Sequence, residues 1–111
     1  MTMISKSFYK NKPCIEITNG FITADIIPDP GAKFASIRAG GREFLLQRPF
    51  GTYLEQDFDG VYVNAECSGF DDMFPTIDAC FYDRYPWEGV KMADHGEVWS
   101  LPWDCRIEKD M

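Results

Sequence analysis

The sequence predicts an all-β fold, and three observations carry that expectation. Short runs of β-type residues are divided by turn signals up to residue 47; two of the divisions are glycine hairpins; and no stretch has helical periodicity of useful length. The first half of the chain therefore predicts an antiparallel meander.

Each element has a local reason. Cys14 to Thr18 alternates, with Ile15 and Ile17 on one face, and Asn19-Gly20 is a strong two-residue hairpin signal leading into Phe21 to Ile27. Pro28, Asp29, Pro30 and Gly31 then break the chain. Lys33 to Arg38 and Arg42 to Gln47 flank Ala39, Gly40 and Gly41, a second hairpin with glycine available for positive φ. From Arg48 to Ala65 the chain is irregular and too long for a bare connector, which predicts a functional segment or one packed on a larger body. Asp57, Phe58, Asp59 and Gly60 open like a calcium loop but lack its remaining ligands. Strand-like runs return at Ile77 to Tyr82 and at Glu97 to Glu108.

The 111 residues suit a single β domain spanning 1–111, and 45% hydrophobic with 26% charged residues is a globular composition. A net charge of −7 argues against nucleic acid, whose phosphates demand basic patches. Placement says more than the sum, because eleven acids and only Arg84 and Lys91 lie between Glu55 and Glu97. A phosphorylated ligand would meet repulsion there, whereas carboxylates accept hydrogen bonds from a neutral polyol. Cys14, Cys67, Cys80 and Cys105 form no C-x-x-C pair and have no histidine at ligand spacing, so no metal site is expected. The N-terminus lacks an apolar signal core and no apolar run reaches membrane-spanning length, which makes a cytoplasmic location with reduced thiols the default.

Chemistry concentrates in the run from Asp94 to Trp103, which holds the only histidine and two of the three tryptophans. His95 is the side chain best placed to move a proton near neutrality. Asp94 and Glu97 flank it and can fix its tautomer, and Gly96 lets the backbone pass close to a ligand. Trp99 lies two residues beyond Glu97, which on one strand face would present it for stacking on a ligand. The plain alternative is a surface histidine beside core-packing tryptophans. Seven aromatics fall between Phe74 and Trp103, and Trp87, set between Pro86 and Glu88, is expected to be exposed.

The run from Asp94 to Trp103 resembles a segment of the aldose 1-epimerase (galactose mutarotase-like) family, in which a His-Gly pair enters a strand and lines the sugar site. Other pieces occur in matching order. Asn19 to Ile27 followed by Pro28, Asp29, Pro30, Gly31 and Ala32 resembles the family's opening hairpin and turn. Ser36, Ile37 and Gly40 to Leu45 resemble its next strands, and Ser68 to Ile77 resembles a loop ahead of the His-Gly segment. The resemblance implies an antiparallel β-sandwich, the N-terminal part of a longer supersandwich whose general acid histidine and general base glutamate lie downstream. It implies a neutral aldose opened and reclosed by proton transfer without a cofactor. His95 would then act near the ring oxygen or anomeric hydroxyl with Asp94 orienting it, while Asp71, Asp72, Glu97 and Trp99 would contact the sugar. Asp71, Asp72, Val98 and Trp99 stand where some family branches carry asparagine or arginine. Two other functions fit the same residues: a non-catalytic carbohydrate-binding module, and a structural β-domain whose sheet edges join a second copy or the rest of the same protein.

Overall fold

A computed structural model describes residues 1–108. They build a five-stranded antiparallel sheet in simple meander order: β1 (Met3–Tyr9), β2 (Lys12–Thr18), β3 (Ile22–Ile27), β4 (Lys33–Ala39) and β5 (Arg42–Glu43). A single 3-10 turn, Tyr62–Asn64, interrupts the long loop that follows, and a two-stranded ribbon pairs β6 (Cys80–Phe81) with β7 (Lys91–Met92). The chain is thus nearly all-β and antiparallel.

Turn chemistry sets the register. Asn19 Oδ1 accepts from the backbone N–H groups of Phe21 and Ile22, at 2.9 and 2.8 Å, and Gly20 takes φ +90°, so the β2–β3 hairpin closes with Thr18 opposite Thr23. A bulge between Asp25 and Ile26 then shifts the β3–β4 pairing, so that Ile27 lies opposite Lys33.

The pleat sorts the side chains into two unlike faces. On one, Arg38 Nη1 donates to Asp25 Oδ2 and Ser36 Oγ, both at 2.6 Å, and Glu43 accepts from Ser36 and from the N–H groups of Ile37 and Leu45. At one end of this polar face Tyr9, Cys14 and Ile27 meet Ala35 and Tyr53 in the small buried core. The other face carries Phe8, Ile15, Ile17, Ile22, Ile26, Phe34 and Ile37, none of them fully buried.

The loop from Arg48 is strapped to the buried end. Glu66, fully buried, accepts from Lys10 Nζ, from Ser68 Oγ and from the N–H of Leu54 at 2.9 Å, while Asn11 Oδ1 accepts from the N–H of Tyr53. Burial works against that carboxylate's charge, but the hydrogen bonds from Lys10, Ser68 and Leu54 outweigh it and hold Glu66 below its ordinary pKa.

The elements depart from expectation at four points. Met3 to Tyr9 is a strand that the hairpin signals do not announce. Arg42 to Gln47 pairs only at Arg42–Glu43, because Gln47 turns away to donate to Ala35 O at 2.8 Å. Glu97 to Glu108 forms no strand; from Glu97 to Leu101 it is turns and bends. The Trp99 indole N–H reaches Asp94 O and Gly96 O at 2.9 and 3.0 Å, and these local bonds curl the segment where a ladder would have extended it. The run Ile77 to Tyr82 shrinks to Cys80–Phe81. All four cysteines are free, Cys14 buried and Cys80 and Cys105 exposed. No helix among the described residues is long and apolar enough to cross a membrane.

Candidate functional site

Two segments without regular pairing converge beside the start of β4. The first, Ser68 to Asp71, is pressed onto the sheet by Gly69, whose φ of +70° and missing Cβ let Phe34 O approach to 1.9 Å of where that carbon would stand. Phe70 and Phe34 then exchange backbone hydrogen bonds at 2.9 and 3.2 Å and stack their rings at 4.8 Å. This places Asp71 against Lys33. The Lys33 ammonium, wholly buried, donates to Asp71 Oδ2 at 2.8 Å and to Ser68 O at 2.6 Å.

The second segment is the loop after β7. Gly96, at φ +77°, packs its backbone against Phe74, and a Cβ there would lie 2.3 Å from Phe74 O. The N–H of His95 donates to Ile77 O and that of Glu97 to Phe74 O, at 2.5 and 2.7 Å. So fixed, His95 adopts φ +58°, a conformation that β-carbon sterics disfavour.

Tyr62 joins the two. Its hydroxyl donates to Asp71 Oδ2 at 2.9 Å, its backbone N–H donates to Asp94 Oδ2 at 2.8 Å, and its ring lies flat on the His95 imidazole with centroids 4.0 Å apart and planes 8° from parallel. Trp99 also packs on Tyr62, with ring centroids 5.1 Å apart and planes at 77°. Asp94 Oδ1 in turn pairs with His95 Nδ1 at 2.8 Å. The backbone N–H of Tyr62, and after it the His95 ring, hold the Asp94 carboxyl below its ordinary pKa. Burial and the neighbouring Asp71 carboxylate push the Tyr62 phenol well above its ordinary value, so it stays a neutral donor.

Chemically, an ionised Asp94 can only accept at Nδ1, so whenever the imidazole is neutral Nε2 is the ring's free acceptor. A quarter of the His95 side chain is open to solvent, and among the described residues Nε2 is not one of the buried atoms left without a partner, so a hydroxyl can reach it. No family model, curated protein or solved structure matches the chain. The site is therefore read from its own residues.

Of the six residues singled out from sequence, Asp94, His95, Trp99 and Asp71 are brought together through Tyr62. Their parts differ from those expected. Trp99 is 1% exposed with its indole N–H engaged twice, so the strand face that was to offer it to a ligand does not exist; it supports Tyr62. Asp71 is sealed with one oxygen shared by Lys33 and Tyr62, while Oδ1 is buried without a partner among the described residues. Asp72 is exposed and lies outside the cluster's hydrogen bonds. Glu97 lines a separate open cavity of about 540 Å³ with Phe74, Tyr82 and Trp87. Among the described residues, no group of three histidine, cysteine or acidic side chains is arranged to hold a metal.

Sequence reasoning missed Tyr62 and Lys33. A lone tyrosine in an irregular acidic loop carries no pattern. For Lys33 the one signal in the sequence is a cation opening a strand next to Gly31 and Ala32.

Proposed function

We propose that the chain binds a neutral aldose at the Tyr62, Asp94 and His95 cluster, as an aldose 1-epimerase-like carbohydrate-processing protein of galactose mutarotase-like architecture. One observation carries this reading: His95 Nδ1 is tied to Asp94 at 2.8 Å while the ring lies on Tyr62, so Nε2 is the presented atom. The anomeric hydroxyl donates to that nitrogen and passes its proton to Nε2 as the bond from C1 to the ring oxygen breaks, while solvent protonates the ring oxygen. Tyr62 sets the plane of the imidazole, and Asp71 with Lys33 sets Tyr62. The local excess of carboxylates suits hydroxyl donors and repels phosphate esters.

A binding role without catalysis is the second reading. The cavity lined by Glu97, Phe74, Tyr82 and Trp87 favours it, since aromatic faces stack on sugar C–H surfaces while a carboxylate takes hydroxyls.

Calorimetry with glucose and galactose, run beside polarimetry of freshly dissolved α-glucose, tests both. Binding that is lost in His95→Ala, together with anomer interconversion that falls in the same variant, is the expected result for the enzyme. Binding without faster interconversion leaves the module. No heat with either sugar at millimolar concentration rejects both readings.

A further inference from the structure

The five-stranded sheet is covered on the wrong side for its chemistry. Its polar face carries the buried core, whereas the face of Ile15, Ile17, Ile26 and Ile37 lies open, with Ile22 50% and Phe8 72% exposed at its borders. Only Lys6 on β1 and Arg42 on β5, the two outer strands, bring charge to it. The middle of the face is apolar throughout.

The amount of open surface is informative. The chain exposes 7872 Å², about 1,600 Å² more than the roughly 6,200 Å² of a folded monomer of 12.7 kDa, an excess shared between this face and the loops from Phe44 onward. Its radius of gyration, 16.1 Å, likewise exceeds the roughly 13 Å of a compact domain this long. A standard interface takes about 800 Å² from each partner, so the surplus is enough for one.

We propose that two copies of this chain pack these faces together across a twofold axis, forming a β-sandwich of two five-stranded sheets. Antiparallel sheets stack about 10 Å apart with their strands roughly aligned, and a flat pleated face of isoleucine finds its match in the same pleat. The twofold keeps Lys6 and Arg42 at the rim, where water reaches them. The acids lie elsewhere, on the polar face at Glu16 and Asp25 and in the loops from Glu55 to Glu97. Charge also selects the occupant: a chain of net −7 is repelled by an anionic lipid surface, while a second copy presents no acid to this face. This inference does not depend on the sugar site.

Sedimentation equilibrium of the 111-residue chain is expected to show a limiting mass of twice 12.7 kDa, with dissociation on dilution and tighter association as salt screens the repulsion between copies. Phe8→Lys/Ile22→Lys, which places lysines on the face at already exposed positions, should weaken the dimer by about 100-fold or more. Trp87→Lys, which removes exposed apolar surface away from the sheet, should leave it unchanged. Hydroxyl-radical footprinting of the unaltered chain reports even if the double variant does not fold: Phe8 should be protected when concentrated and modified when dilute. A monomer at 100 µM and above, open-ended aggregates without a limiting dimer, or equal modification of Phe8 at all concentrations would overturn the proposal.

Discussion

His95 is held in a costly backbone conformation because three neighbours over-determine it: Asp94 at Nδ1, the Tyr62 ring beneath it and Ile77 O at its N–H. Asp94→Asn should therefore keep the fold yet loosen the ring, seen as broadened or shifted His95 imidazole resonances, with weaker sugar binding. Gly96→Ala is a harsher change. Positive φ alone costs about 1–3 kcal/mol, and the approach of Phe74 O to 2.3 Å adds to it, so the urea midpoint should fall clearly. Lys33→Met leaves Asp71 buried as an unpaired charge and should cost about 3–5 kcal/mol, while Lys33→Met/Asp71→Leu recovers much of that loss. Equal destabilisation by the single and double variants would show that the ion pair is not what matters there. Legibility at this scale was mixed. His95 and Asp94 stood out because histidine is rare here and titrates near neutrality, whereas Tyr62 acts through a contact that no spacing encodes.

Among the elements, those set by local chemistry could be read and those set by distant partners could not. The Asn19-Gly20 and Gly40-Gly41 signals fix their strands through turn geometry; the second closes as expected with Ala39 opposite Arg42, while the first closes one residue later, around Gly20 and Phe21, with Thr18 opposite Thr23. Asn19→Ala removes the acceptor for two N–H groups and should cost about 1 kcal/mol, measured by denaturant unfolding. β1 escaped notice because its two faces are mixed, with Lys6 between Ile4 and Phe8 on one and Met3 and Tyr9 beside serines on the other. It is a strand because β2 supplies seven partners for it, from Met3 opposite Thr18 to Tyr9 opposite Lys12. The segment after Glu97 failed in the opposite sense, since its apolar residues looked like a strand while the Trp99 indole bonds curled it.

Across the molecule, charge and layering carry the consequences. Glu43 and Asp94 as well as Glu66 are held below their ordinary pKa values, of 4.5 for the glutamates and 3.8 for the aspartate. Each therefore contributes stability that is present above those values and is lost as pH falls through the lowered one. The urea midpoint should hold between pH 7 and 5 and drop by pH 3; a midpoint that rises toward pH 3 would refute this assignment. The antiparallel, nearly all-β class was legible from hairpins alone. A layer to cover its apolar face was not, because a pleated strand looks the same whichever layer covers it. The preference for neutral ligands proposed for the site rests on the acids between Glu55 and Glu97, and it is tested most directly by following His95 itself. Long-range ¹⁵N correlation spectra of the imidazole, recorded during titration with glucose and in parallel with glucose 6-phosphate, should show the Nε2 resonance move with the neutral sugar and far less with the phosphate. An Nε2 signal unmoved by saturating glucose, or moved more by the phosphate, would contradict the account.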